Sequence, residues 1–126
     1  MRLRMAALAL AAAVVAVPVT SSAAKSECFL SGDWRGWRAT PDSKAIYIRV
    51  GVSRVYRLDL STQCPSLQQA GVHLVTRLRG GPWICHPLDL DLSISDGHGF
   101  KTPCIVNKIT RPSSEEATAL PKDQRP

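Results

Sequence analysis

The sequence lacks the short motifs that mark several common enzyme and metal sites. It contains no Cys-x-x-Cys pair, no His-Glu-x-x-His and no Gly-x-Ser-x-Gly. Their absence argues against a spaced-cysteine zinc site, a zinc-dependent protease of that type and a serine hydrolase with a nucleophile elbow. Basic residues are never consecutive, although the chain of 126 residues carries a net charge of +6. Positive charge is therefore dispersed over the surface and forms no basic tail.

A long hydrophobic run is also missing, because the apolar stretch Met5–Val17 covers only about 13 residues and a membrane span needs roughly 20. Two arginines precede this stretch, and the small residues Ser22-Ala23-Ala24 follow it. This order is typical of a secretory signal peptide. We predict a signal peptide at residues 1–24, with cleavage after Ala24 or, as the alternative, after Ala23. An uncleaved membrane anchor is the competing interpretation.

The mature chain, residues 25–126, is long enough for a single small β-rich domain with a polar C-terminal tail. Removing Arg2 and Arg4 with the signal lowers the net charge to about +4, which leaves a mildly basic surface. No transmembrane segment is expected in the mature chain. We expect it to be periplasmic or secreted.

All four cysteines fall in the predicted mature chain, and an even number in an exported protein indicates two disulfides. They are Cys28, Cys64, Cys85 and Cys104. Four cysteines allow three pairings, and the sequence does not choose between them. The pairing we expect is Cys28–Cys104 with Cys64–Cys85.

The mature chain is dominated by short segments in which apolar and polar residues alternate, as in half-buried strands. They are residues 44–50, 55–60, 72–79 and 88–95, and residues 104–110 are predicted as a last strand. In the fourth segment Leu88, Leu90, Leu92 and Ile94 are expected to point inward, with Asp89 and Asp91 outward. Ser113 and Glu116 form a capping box that predicts a short C-terminal helix. The predicted fold is all-β with minor α: a small antiparallel barrel or curled sheet of about five strands, the helix and two disulfides.

Candidate catalytic and metal-binding residues are few. Cys85 and His86 are adjacent, but neighbours in a strand point to opposite faces, so no catalytic residue is assigned. If Gly80-Gly81-Pro82 closes a hairpin, His73 lies opposite Asp89 on the outer face, and these two with Asp91 are the candidate metal ligands. A plain cross-strand polar pair is the simpler interpretation.

Two further features have a functional and a simpler interpretation. His98 lies in Asp96-Gly97-His98-Gly99, where the glycines and the aspartate already account for a turn. Asp89 and Asp91 could also resemble the paired carboxylates of a glycosidase, although a solvated strand face explains them equally. No cofactor is expected.

Arginine and tyrosine side chains on the polar strand faces give a candidate binding surface for a polyanion. The residues concerned are Tyr47, Arg49, Arg57, Arg77 and Arg79. Asp59, Asp89 and Asp91 are expected on the same faces, so internal ion pairing competes with binding.

Several stretches, in order, resemble a family of small exported bacterial proteins, domain of unknown function 6491. They are "CFLS", "IYIRV", "VYRLDL", "ICHPLDLDL", "PCIV" and the closing "EEATALPKDQRP". The resemblance runs from Cys28 to Pro126, with "SSEE" where the family often has threonine-proline-glutamate. It implies export, the four-cysteine framework, the terminal helix and a periplasmic location in a Gram-negative source. It implies no activity.

The function expected from these observations is a non-catalytic binding or structural module of the periplasm or cell envelope. Its partner would be an envelope polyanion or another exported protein. Two alternatives stay open: a small metal-assisted or hydrolytic enzyme using His73 and Asp89, with His86 or His98, and an inhibitor of another exported protein.

Overall fold

The computed structural model describes residues 28–126, so the predicted signal peptide and its cleavage site lie outside the described residues. These residues form nine strands and one α-helix in the following order. The strands are β1 (Phe29–Leu30), β2 (Trp34–Ala39), β3 (Ala45–Val50), β4 (Arg54–Leu60), β5 (His73–Leu78), β6 (Trp83–Ile84), β7 (Leu90–Ser95), β8 (Lys101–Pro103) and β9 (Val106–Thr110), and the helix is α1 (Ser114–Ala119). Short 3₁₀ turns occupy Ser31–Asp33, Pro65–Gln68, Pro87–Asp89 and Lys122–Gln124.

The strands form two main antiparallel sheets and one short pair. The larger sheet has the order β2-β3-β4-β9, the smaller has the order β5-β7-β8, and β1 pairs with β6. The alternating segments of the sequence account for β3, β4, β5 and β7, and the last predicted strand is β9. The short strand that the sequence also indicates near Trp34 to Ala39 is β2. The prediction of about five strands missed β1, β6 and β8, because strands of two or three residues are too short to show alternation.

One apolar core lies between the inner faces of the two sheets. It joins side chains of β3 and β4 to side chains of β7, with Ile48, Leu58 and Leu92 as examples. Phe29 is fully buried, with its ring centroid 4.6 Å from that of Tyr56. Each such side chain contributes about 1.5–3 kcal/mol through burial. The described residues form no closed barrel, so a curled sheet is the better description of the two predicted forms.

The outer face of the four-stranded sheet is covered by the C-terminal segment, residues 111–126. Helix α1 contacts β4, and the Lys122–Gln124 turn contacts β2, so the segment crosses β3 between them. Tyr47 therefore retains only 7% exposure although it points away from the core. The predicted helix start is confirmed, since the Ser113 side chain accepts a hydrogen bond of 3.1 Å from the Glu116 N–H. Among residues 28–126, no helix has the length and apolar content needed to cross a bilayer.

The structure contains two disulfides, as predicted, but the predicted pairing of the four cysteines is wrong. The bonds join Cys28 to Cys85 and Cys64 to Cys104. The first pairing follows from β1 and β6, because Phe29 lies opposite Ile84 and so brings the two flanking cysteines together. The second follows from the end of the β4–β9 pair, where Leu60 lies opposite Val106. The sequence showed neither of these strand contacts.

Candidate binding groove

A groove of about 450 Å³ lies on the outer face of the three-stranded sheet. Its floor is a row of small side chains set side by side by the strand register: Val75 on β5, Ser93 on β7 and Pro103 on β8. Small residues in the centre of the face, with longer side chains around them, make the surface concave. A volume in the range of about 300–1,000 Å³ is usual for a ligand site.

Basic side chains stand on two sides of this floor. Arg77 lies opposite Asp91 in the β5–β7 register, and Lys101 lies opposite Ser95 in the β7–β8 register. Asp91 is instead bound by Arg79, whose Nε donates to its carboxylate at 3.0 Å while Nη2 makes a second bond. This contact raises the pKa of Arg79 above its ordinary value. Arg77 and Lys101 form no ion pair with another residue of 28–126, so their charges are available to a ligand.

Two large apolar side chains form the rim of the groove. Leu88 is 76% exposed and Ile105 is 68% exposed. Leu88 belongs to the Pro87–Asp89 turn, which is fixed because the Asp89 carboxylate accepts bonds of 2.8 Å from the N–H groups of Cys85 and His86. The same two bonds hold the pKa of Asp89 below its ordinary value. The groove therefore combines free positive charge with exposed apolar surface on a fixed backbone.

The structure divides the predicted arginine–tyrosine surface between the two sheets. Arg77 and Arg79 line the groove, whereas Tyr47, Arg49 and Arg57 belong to the four-stranded sheet. Arg57 is held internally: its Nη1 donates to the Tyr47 hydroxyl and its Nε to Asp59, both at 2.8 Å. The bond to Asp59 raises the pKa of Arg57. Arg49 is exposed, but Tyr47 and Arg57 are engaged with each other under the C-terminal segment.

The predicted closeness of His73 and Asp89 is wrong. His73 lies opposite Ser95, six positions later in the chain than the expected partner. The glycine-rich stretch does not close a two-strand hairpin, because β6 and the Pro87–Asp89 turn occupy the connection between β5 and β7. Asp89 bonds the backbone of its own turn and Asp91 bonds Arg79, so these carboxylates do not share a strand face. Within residues 28–126, no group of three or more His, Cys, Asp or Glu side chains is placed to hold a metal ion.

The other candidate catalytic residues lie apart from the groove floor. The Cys85 sulfur is bonded to Cys28 and provides no thiolate. His98 is in an exposed turn where Asp96 accepts hydrogen bonds from the N–H groups of His98 (2.7 Å) and Phe100 (3.2 Å). The φ angles of +78° at Gly97 and +102° at Gly99 explain both glycines, as the turn prediction required.

Sequence reasoning missed the side chains that complete the groove. Leu88 was expected to point inward with the leucines of β7, but the turn ends the alternation before Leu90. Pro87 was the available signal, since proline favours the first position of a helical turn. Lys101 and Ile105 gave no signal, because β8 is short and its neighbours were interpreted as turn and strand end.

Comparison with known proteins places the chain in a family. Residues 1–126 match the family of unknown function DUF6491. The chain belongs to this family. A search of the curated proteins and a search of the solved structures found no match.

Proposed function

We propose that this member of DUF6491 is a non-catalytic binding module of the periplasm or cell envelope, and that its groove on the three-stranded sheet binds a polyanion. The observation that supports the proposal is the combination of unpaired Arg77 and Lys101 with a concave floor and an apolar rim. A polymer carrying regularly spaced carboxylate or phosphate groups can contact both basic side chains at once. Its less polar backbone can lie against Leu88 and Ile105.

The attraction between exposed basic side chains and an anionic ligand becomes shorter in range as the salt concentration rises. The Debye length is about 10 Å at 0.1 M salt and about 3 Å at 1 M, so added salt weakens the attraction. The net charge of about +4 that remains after removal of Arg2 and Arg4 with the signal peptide adds a general attraction for anions. The specific contribution of the groove is therefore measured best against an equal charge change elsewhere on the protein.

The experiment uses long-chain polyphosphate and poly-glutamate as probes. The proteins are the mature chain, residues 25–126, and two charge-reversal variants of it. Arg77→Glu changes the groove, and Arg49→Glu makes the same change at an exposed, unpaired arginine of the other sheet. We expect Arg77→Glu to weaken binding about tenfold, which corresponds to about 1.4 kcal/mol. We expect Arg49→Glu to weaken it less than about twofold. Titration calorimetry at low and high salt measures both.

Two outcomes would contradict the groove as the site. Equal losses in the two variants would show that only the overall charge matters. Binding that does not weaken with added salt would show that the ligand is not recognised through its charge.

Export is the second part of the proposal and has a separate test. Two disulfides are typical of proteins in oxidising compartments and rare in the cytosol. We expect the protein recovered from the periplasm or medium to begin at Lys25, and its four cysteines to resist alkylation until they are reduced. An intact mass that includes residues 1–24 would contradict cleavage of the signal peptide, and free thiols in the native product would contradict export.

A further inference from the structure

A second cleft lies between the edges of the two sheets, away from the groove floor. Its volume is about 380 Å³, and its walls include Trp34 and Trp37 from β2 with Leu74 and Thr76 from β5. β2 is at one end of the four-stranded order and β5 is at one end of the three-stranded order. The cleft is therefore bordered by two edge strands, each of which has one edge that is not hydrogen-bonded to another strand.

Neither edge is closed by another strand of residues 28–126. β2 pairs only with β3, and β5 pairs only with β7. Outside these pairings, the described backbone makes no hydrogen bond to Arg35–Arg38 or to Leu74–Leu78. Unpaired N–H and C=O groups along an edge are a template for pairing with an additional strand.

The inner side of the cleft is apolar and open to solvent. Trp34, Trp37 and Leu74 pack against the core but are only partly buried. Thr76 lies opposite Leu92, which is 4% exposed and points into the core, yet Thr76 itself is exposed. An inward-facing residue can be exposed only where the space between the sheets is not filled, so the core has an opening at this edge.

The two strands that border the cleft carry arginine side chains and no carboxylate. Arg35 lines the cleft, and Arg38 and Arg77 lie beside it on the same two strands. All three are exposed and form no ion pair with another described residue. Residues 34–39 and 73–78 contain no aspartate or glutamate. A second copy of this chain would bring the same charges together, which is unfavourable on a sheet face. An acidic segment would neutralise them.

We propose that the cleft between β2 and β5 accepts an extended segment of another exported protein, in which acidic residues alternate with apolar ones, as an added β-strand. Successive side chains of a strand point to opposite faces. The apolar ones would contact Trp34, Trp37 and Leu74, and the acidic ones would face the arginines. Main-chain bonds to the two edges supply affinity, as in other cases of strand addition.

The probe is a fluorescent peptide of about eight residues with alternating valine and glutamate, a length within the ordinary range for strands. Two control peptides have the same composition: one groups the glutamates in a block, and one is N-methylated at every second amide. We expect the alternating peptide to bind at least about tenfold more tightly than either control in fluorescence polarisation. N-methylation removes backbone donors without changing charge, so equal binding of that control would overturn strand addition and leave simple attraction of a polyanion.

The matched protein variants are Thr76→Tyr and Thr102→Tyr. Both threonines are exposed on edge strands of the same sheet and lie opposite core residues of β7, but only Thr76 lines this cleft. We expect Thr76→Tyr to weaken peptide binding at least about tenfold, and Thr102→Tyr less than about twofold. If Thr76→Tyr does not fold, Arg35→Glu gives the same test at an exposed position. Unchanged binding in Thr76→Tyr and Arg35→Glu, or a dimer of the chain that Thr76→Tyr abolishes, would overturn the proposal.

Discussion

The two main sheets share one core, but the outer face of the four-stranded sheet is covered and the outer face of the three-stranded sheet is exposed. Every residue of β3 except Arg49 is buried, whereas β7 alternates between buried and half-buried positions. The C-terminal segment covers the four-stranded sheet where Tyr47 points outward. The three-stranded sheet points Val75, Ser93 and Asp91 outward, and its groove stays open. The face that carries Tyr47 is packed, and the face with small and charged residues stays exposed. The exposed face is the one that we propose binds a ligand.

The largest expected effect comes from truncating an outward-facing side chain on each sheet. Tyr47→Ala should lower the free energy of unfolding by about 4–5 kcal/mol, because it leaves a cavity under the C-terminal segment and removes the hydroxyl that accepts a hydrogen bond from Arg57. Val75→Ala should lower it by less than about 1 kcal/mol, because Val75 is already half exposed in the groove. Urea unfolding followed by circular dichroism measures both.

Tyr47→Phe is the control for the first prediction. It keeps the ring and removes only the hydroxyl that accepts a hydrogen bond from Arg57, so a loss of about 1 kcal/mol is expected. Equal losses for Val75→Ala and Tyr47→Ala would mean that the outer face of the three-stranded sheet is also packed, and the contrast between the two sheets would fail.

The two disulfides also differ in exposure: Cys64–Cys104 is buried, whereas Cys28–Cys85 reaches the surface. Cys64 and Cys104 are 4% and 1% exposed, whereas Cys28 is exposed. Their sequence separations of 40 and 57 residues differ too little to matter, because chain entropy would favour the longer loop by only about 0.3 kcal/mol. Burial therefore decides the order of stability.

Replacing both members of the buried disulfide with alanine should cost about 3–4 kcal/mol, and replacing both members of the exposed one about 2–3 kcal/mol. The wild-type protein under mild reduction provides an independent readout. We expect Cys28 and Cys85 to be alkylated before Cys64 and Cys104, as mapped by mass spectrometry. The reverse order of alkylation would contradict the assignment of the Cys64–Cys104 bond to the packed core.

The main strands could be predicted because their segments are long enough to show alternation. Strands of two or three residues could not be predicted in this way. Leu90, Leu92 and Ile94 point inward as expected, because a six-residue strand displays its period. The disulfide pairing depended on the two-residue pair β1–β6, which has no period to detect. A short strand is stabilised by its partner and not by its own sequence, so its existence is decided by tertiary structure.

Part of the charge of the candidate site was predictable from the sequence, but Lys101 and the shape of the groove were not. Arg77 and Arg79 were identified from strand alternation, and both line the groove. The expected hairpin register placed His73 opposite Asp89 because the connection between β5 and β7 was assumed to be short. A six-residue shift in register keeps inward residues inward, since six is even, but it changes every cross-strand neighbour. The sheet face on which a side chain lies can therefore be predicted from the sequence even where its cross-strand neighbour cannot.

A smaller effect is expected at the cap of the helix that covers the four-stranded sheet. Ser113→Ala removes the side-chain acceptor of the Glu116 N–H and should destabilise α1 by about 1 kcal/mol. Hydrogen exchange should then show about fivefold faster exchange of the α1 amides. Ser114→Ala is the matched control, because its hydroxyl caps nothing. Equal effects in the two variants would show that the helix is held by packing against β4 alone.

The smallest expected effect concerns acid stability at the groove rim. The pKa of Asp89 is lowered in the folded protein by the N–H groups of Cys85 and His86, so the unfolded chain binds its proton more tightly. Stability from this carboxylate is fully present above its ordinary pKa of 3.8 and is lost as the pH falls through the lower folded value. Asp89→Asn should therefore make the urea midpoint less dependent on pH between neutrality and acid. Asp123→Asn removes the same charge at an exposed carboxylate that makes no hydrogen bond with another described residue, and it is the matched control. If the two variants have the same acid profile, the Pro87–Asp89 turn is not fixed by Asp89, and the rim that carries Leu88 has to be held by other contacts.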